Sequence, residues 1–115
     1  PEAEAVIAWR DNAAVGFALY FQSFSTFVGR PGLYLEDLFV RPAYRRRGIG
    51  RQLLAHLAEL AVTRGCGRFE WSVLTWNKLA IGIYEKVGAS PMNDWTVYRL
   101  SGNALSALAS KTRPT

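Results

Sequence analysis

Residues 40–50 read VRPAYRRRGIG, so Arg45, Arg46 and Arg47 run directly into Gly48, Ile49 and Gly50, with Arg51 next. Such a run can be a solvated face, a nucleic-acid patch or a phosphate cradle. Its position decides what it can do. An apolar strand-like segment precedes it and a helical pattern follows, so the glycines fall where a helix begins. The first turn of a helix leaves backbone N–H groups without partners at the positive end of the dipole. An anion placed there is stabilised by both. Gly48 and Gly50 let the backbone approach a ligand closely, and the arginines add charge. The dinucleotide pattern G-x-G-x-x-G is absent, because Leu53 stands where the third glycine would be.

Two acids precede the cluster in LYLEDLFV, residues 33–40. Read at period two, Leu33, Leu35, Asp37 and Phe39 share one face, and Tyr34, Glu36, Leu38 and Val40 the other. Glu36 and Asp37 therefore point to opposite sides. A carboxylate in such a strand can bind a cation and accept its proton, or it can be a paired structural acid. Tyr84 falls at helical spacing, where a tyrosine is either a core aromatic or a proton donor with a high intrinsic pKa. Trp76 and Trp95 have rings suited to cations or to core packing. His56 stands alone on a polar helix face. Cys66 has no partner and no metal-ligand spacing exists.

The elements that must hold these residues follow from periodicity and turn chemistry. Residues 5–10 and 15–24 read as strands joined at Asp11-Asn12-Ala13-Ala14, a hairpin. Gly29, Pro31 and Gly32 mark a loop, and 33–40 form a third strand ended by Pro42. From about residue 50 to 64 the period becomes helical, with Leu53, Leu54, Leu57, Leu60 and Ala61 on one face and Gly65 at the C-cap. Residues 68–74 read as a strand and 77–87 as a short helix with Asn77 at its N-cap and Gly88 past its end. Residues 95–100 read as a final strand, and 101–115 as a weak helix with a frayed basic tail. The order β-β-β-α-β-α-β predicts antiparallel early strands and a parallel crossover later.

Two motifs resemble the GNAT family of N-acetyltransferases. Arg45-x-x-Gly48-x-Gly50 matches its Gln/Arg-x-x-Gly-x-Gly/Ala signature, and Asn77-x-x-Ala80-x-x-x-Tyr84-x-x-x-Gly88 is similar to its second helix signature. They stand in the family's order, with one helix and one strand between them. The likeness extends from Val15 to about Leu100. LYLEDLFV, GFALYF and GIYEKVGAS look like the diamine (spermidine/spermine) acetyltransferase branch.

The resemblance implies a single α/β (α+β) domain over residues 1–115. Its sheet would be mixed and mostly antiparallel, with flanking helices. It implies acetyl-CoA as cosubstrate and no metal. The pantetheine arm would lie along Leu38, Phe39 and Val40, and the pyrophosphate on Arg45, Arg46, Arg47, Gly48, Ile49, Gly50 and Arg51. Asn77 and Ala80 would border the arm. Tyr84 would protonate the departing CoA thiolate, and Glu36 would take the acceptor's proton. Asp37, Glu70, Trp71, Ser72 and Trp76 would line the site of a small-molecule amine such as a polyamine or a lysine-like amino acid. The alternative is a non-catalytic CoA-binding or nucleic-acid-binding module.

The family domain begins with a further strand and one or two helices that this chain lacks, so we expect a piece of a longer protein. A sheet without that cover exposes an apolar patch, which predicts a homodimer. The chain has 115 residues, 50% of them hydrophobic, enough for one core. Fourteen Lys and Arg oppose nine Asp and Glu, giving a net charge of +5 that favours an anionic partner. With the acetyl-CoA reading, nucleic acid is not expected as that partner. One cysteine cannot form an internal disulfide, which suits a reducing cytoplasm. No apolar run approaches the roughly 18 residues of a membrane span, and no signal peptide is visible.

Overall fold

The computed structural model describes residues 2–24 and 29–111, and the chain divides into two compact units, Pro1–Leu74 and Thr75–Thr115. The first unit holds a four-stranded sheet in the order β1-β2-β3-β4. Its strands are β1 (Ala3–Arg10), β2 (Ala13–Phe24), β3 (Pro31–Val40) and β4 (Arg68–Glu70), with helix α1 (Ile49–Thr63) between β3 and β4. The first three strands pair antiparallel, and β4 joins β3 parallel. The expected hairpin is tighter than its sequence implies. Arg10 pairs with Ala13, leaving only Asp11 and Asn12 in the loop, both with positive φ (50° and 64°). Asp and Asn tolerate that conformation, which matches the twist of the flanking strands.

Helix α1 covers one side of the sheet. Ile49, Leu53, Leu54, Leu57 and Ala61 are its buried residues. They meet Ala18 and Tyr20 from β2 and Leu33, Leu35 and Val40 from β3, all buried. The helix ends in a reciprocal cap. Gly65 sits at φ 73°, its N–H donates to Val62 O, and the Cys66 N–H donates to Ala61 O. Gly65 supplies the left-handed turn that this cap requires. On the other side of the sheet Ile7, Trp9 and Phe39 are exposed.

A bidentate ion pair fastens the C-terminal end of α1 to β1. Arg64 Nη1 and Nη2 donate to Glu4 Oε2 and Oε1 at 2.7 and 2.6 Å. Those hydrogen bonds hold the Glu4 carboxyl below its ordinary value. A lowered carboxylate pKa contributes stability that is full above the unfolded value and is lost as pH falls through the folded one. Both side chains are partly exposed, so the contribution is small, within about 1 kcal/mol. Glu4→Gln is expected to lower Tm slightly at neutral pH and to flatten the acid decline. Thermal melts between about pH 7 and pH 3 check this; an acid limb identical to the parent's removes Glu4 from the account.

The second unit contains α2 (Lys78–Lys86) and α3 (Gly102–Ser110). Asn77 caps α2, its Oδ1 accepting the Ala80 N–H at 3.2 Å. Gly88 and Ala89 close it by donating to Glu85 O and Tyr84 O.

Two strand expectations are corrected. The segment 68–74 is strand only through Glu70. Residues 95–100 form no strand, and Trp95, Val97 and Tyr98 are highly exposed. A β-prone sequence becomes a strand only when a neighbour accepts its ladder bonds. Residues 112–115 of the expected tail lie outside the described residues.

Candidate functional site

The arginine-glycine stretch forms the entry to α1. A single 3-10 turn, Pro42–Tyr44, follows β3, and the backbone then reverses through Arg46 at φ 64° and Gly48 at φ 79°. A left-handed conformation at a non-glycine such as Arg46 costs about 1 kcal/mol. The Gln52 N–H is the first to close a helical bond, on Gly48 O at 2.9 Å. The N–H groups of residues 46–51 find no acceptor among the described residues. A Cβ added at Gly48 would meet nothing within 4 Å, so the space before these amides is open. Ile49 is buried beneath the sheet, so only its amide faces that space. Arg46, Arg47 and Arg51 are exposed around it.

Arg45 is committed differently from its neighbours. Its Nε donates to Val40 O at 2.9 Å, and its guanidinium lies 5.6 Å from the Phe39 ring centroid. That geometry ties the loop back to β3. Arg47 stacks similarly on Tyr44, at 5.2 Å.

The edge of β3 beside this loop is only partly used. Its parallel pairing with β4 spans Gly32↔Arg68, Leu33↔Phe69 and Tyr34↔Glu70, and then stops. Residues 35–40 continue as strand with no paired strand on that side among the described residues. The Arg41 N–H donates to Val15 O, flanking the Gly16↔Val40 pair. That makes Gly16↔Val40 a non-hydrogen-bonded pair, so the peptide groups of Val40 and Leu38 point away from β2. The Phe39 peptide points toward β2. An extended ligand can therefore add to this edge as a strand does.

The acids Glu36 and Asp37 depart from the period-two reading. In the β2–β3 ladder Leu19 pairs with Asp37 and Tyr20 with Leu35. Glu36 has no partner and forms a bulge. Leu35 and Leu38 both occupy the side facing α1, since a Cβ at Gly50 would lie 3.6 Å from Leu38 Cδ2 and Leu35 is buried. The bulge thus takes up one residue of alternation. Glu36 and Asp37 are both exposed, and neither lies under the helix. The expectation that they serve opposite sides is overturned.

The predicted acceptor residues on the neighbouring strand divide. Glu70 stands opposite Tyr34 and is paired with Arg68 at 2.6 Å. Trp71 packs on Phe69, ring centroids 5.0 Å apart. Phe69 stands opposite the buried Leu33, so Trp71 belongs with the helix-side residues. Ser72 is exposed, and its Oγ lies 2.8 Å from Tyr34 Oη. The sequence reading left Tyr34 out of the candidate site, although it had placed Tyr34 on the face of Glu36.

In the second unit, Asn77 and Ala80 are joined by the N-cap bond. Tyr84 lies one helical turn beyond Ala80, on the same stripe. Burial pushes the Tyr84 phenol above its ordinary pKa, so it keeps its proton at neutral pH. Trp76, just before the cap, is exposed, as is Trp95. No group of three or more His, Cys, Asp or Glu among the described residues is placed to hold a metal ion. No helix of the described residues is long and apolar enough to cross a membrane.

Comparison with known proteins identifies the family. Residues 1–89 match the model of the acetyltransferase (GNAT) family. The chain is 44% identical over 98 residues to the L-ornithine N5-acetyltransferase of Arabidopsis thaliana, covering 85% of this chain and 43% of that protein. It is 41% identical over 103 residues to the thialysine N-epsilon-acetyltransferase of Sus scrofa, covering 87% and 60%. The chain thus spans roughly half the length of these relatives. Among solved structures, an integron cassette protein from the mobile metagenome of V. cholerae superposes with a TM-score of 0.86 and 36% identity, over 93% of this chain and 66% of that one. An aminoglycoside N-acetyltransferase in complex with CoA superposes with a TM-score of 0.71 and 26% identity, over 83% and 73%.

Proposed function

Because the chain belongs to the GNAT acetyltransferase family, we propose that it carries the acetyl-CoA-binding and acyl-transfer core of an amine N-acetyltransferase. The observation that carries this reading is the run of unpartnered amides at residues 46–51 opening α1. In this reading the CoA pyrophosphate rests on those N–H groups, with Arg46, Arg47 and Arg51 offsetting its charge. Arg45 holds the loop against Val40 and Phe39. The pantetheine arm adds to the open edge of β3 through the Leu38 peptide and the Val40 N–H, the Val40 carbonyl being held by Arg45; by the family's second motif, Asn77 and Ala80 are assigned to the same cofactor.

The chemistry is direct transfer. The acceptor nitrogen, once deprotonated, attacks the thioester carbonyl. A C–N bond forms, the C–S bond breaks, and the thiolate leaves. Tyr84 gives its proton to the sulfur, its raised pKa keeping that proton available, and the second proton, which the nitrogen sheds on becoming an amide, returns through solvent to the tyrosinate. Glu36, outside the ladder and exposed, receives the ammonium proton directly or through water. Asp37, Glu70 and Ser72 offer polar contacts to the acceptor, and Trp76 a ring face for its cation. The named activities of the relatives, on L-ornithine and thialysine, point to a small diamino acid as acceptor.

Calorimetry tests the donor half. Acetyl-CoA and CoA are expected to bind alike, with duplex DNA having no measurable effect. Binding of DNA without CoA would replace the transferase reading with a nucleic-acid-binding module. A thiol-release assay with L-ornithine, thialysine, spermidine and putrescine then tests the acceptor half.

A further inference from the structure

The sheet splits at one point, and a hydroxyl pair stands there. Tyr34↔Glu70 is the last pair between β3 and β4. Beyond it β3 runs on paired with β2 but not with β4, and the chain after Glu70 is no longer strand. Tyr34 Oη and Ser72 Oγ meet at 2.8 Å across this vertex. Ser72 is exposed and Tyr34 is half-buried, its ring 5.3 Å from that of Phe21. Ring packing therefore holds the tyrosine, and the hydroxyl contact is not needed to satisfy a buried group.

The pair has spare hydrogen-bonding capacity. Two hydroxyls carry two protons and four lone pairs. Their mutual bond uses one of each, leaving one donor and three acceptors toward solvent. Such a site takes a ligand group that both donates and accepts, or an ammonium that donates twice. Glu36 and Asp37 lie two and three residues along β3, about 7–10 Å at the strand rise. A short alkyl chain spans that interval. Resting on the acyl-transfer reading above, we propose that Tyr34 and Ser72 together form the specificity-determining contact for the distal polar end of a diamine or diamino acid whose reacting nitrogen lies at Glu36.

The test uses Tyr34→Phe, which keeps the ring on Phe21, together with Ser72→Ala and the double variant. L-ornithine is compared with n-butylamine, which lacks a distal polar group. For L-ornithine, Tyr34→Phe is expected to raise KM about five- to tenfold with kcat near the parent value, the effect of one neutral hydrogen bond. Parameters for n-butylamine should stay within about twofold, since it makes no such contact. The double variant should be no worse than the worse single one, because the two hydroxyls act as a unit. Calorimetric titration of L-ornithine into the CoA-saturated chain gives a readout independent of turnover. A matching fivefold or greater weakening there supports the pair even if no turnover is seen, and absent turnover would then count against the transfer chemistry alone. Equal effects on both amines, equal ornithine affinity in parent and Tyr34→Phe, or no ornithine binding by the parent would each overturn the proposal.

Discussion

Tyr84→Phe is expected to leave acetyl-CoA affinity within about twofold and to lower kcat by roughly 10²–10⁴, the range that a positioned general acid contributes. The substitution removes one oxygen and keeps the ring, so the helix packing that holds the side chain survives. Its consequence falls on the step in which sulfur becomes an anion. Without a donor, the thiolate must leave unprotonated or wait for solvent. The pH profile carries a second signature. An acid acts only while protonated, so kcat should decline as pH rises through the Tyr84 pKa. Burial raises that value above the ordinary phenol range, which places the decline on the far alkaline side. Tyr84→Phe should lose that limb together with the rate. Steady-state kinetics across the alkaline range, with calorimetry for acetyl-CoA, check both parts. A variant with parental kcat would remove Tyr84 from the proton transfer.

Leu57→Ala is the substitution expected to cost most stability. Leu57 is fully buried at the centre of the α1 stripe, flanked by Leu53, Leu54 and Ala61. Truncation removes apolar area from the contact and leaves a cavity that a small sheet cannot close. Such changes cost about 2–5 kcal/mol, a large fraction of the 5–15 kcal/mol typical of a whole domain. Among the described residues of the four-stranded unit, α1 supplies the helical side of this core, so the loss falls on its main contact. Urea denaturation should show a much lower midpoint with an unchanged slope. Leu60→Ala on the same helix serves as the comparison, since Leu60 is not among the buried core residues and should cost less. Equal losses at both positions would place the core elsewhere.

The contrast between these elements explains what the sequence made legible. The α1 stripe and its Gly65 cap were readable because both signals are local: a 3.6 period and a residue suited to positive φ. The hairpin was readable from its turn residues, but not its length: Ala13 and Ala14, read as turn, belong to β2. Asn77 and Gly88 marked the ends of α2. The bulge at Glu36 was not readable. Nothing in LYLEDLFV distinguishes straight alternation from alternation with one residue set aside, because the decision is made by pairing with β2. That single insertion moved Leu38 to the helix side and put both acids outside it. Residues 95–100 failed in the opposite way. Trp95, Val97 and Tyr98 have high strand propensity, yet propensity describes fit to a neighbouring strand, and no such neighbour pairs with them among the described residues. The site was legible where chemistry depended on backbone position, as in the amides before Gln52. It was less legible where it depended on side-chain company: Arg45 is occupied by Val40 and Phe39, Trp71 belongs to the Phe69 side, and Tyr34 emerges only through Ser72.

The bulge has a consequence for how such a protein can diverge. Because Glu36 has no partner residue in the ladder and is exposed, its side chain is nearly decoupled from the assembly of the strands around it. A lineage could exchange that side chain, and with it the charge presented to an incoming amine, without first acquiring compensating changes in the core. The most adjustable position of the site would then be the one that the register of the sheet passes over.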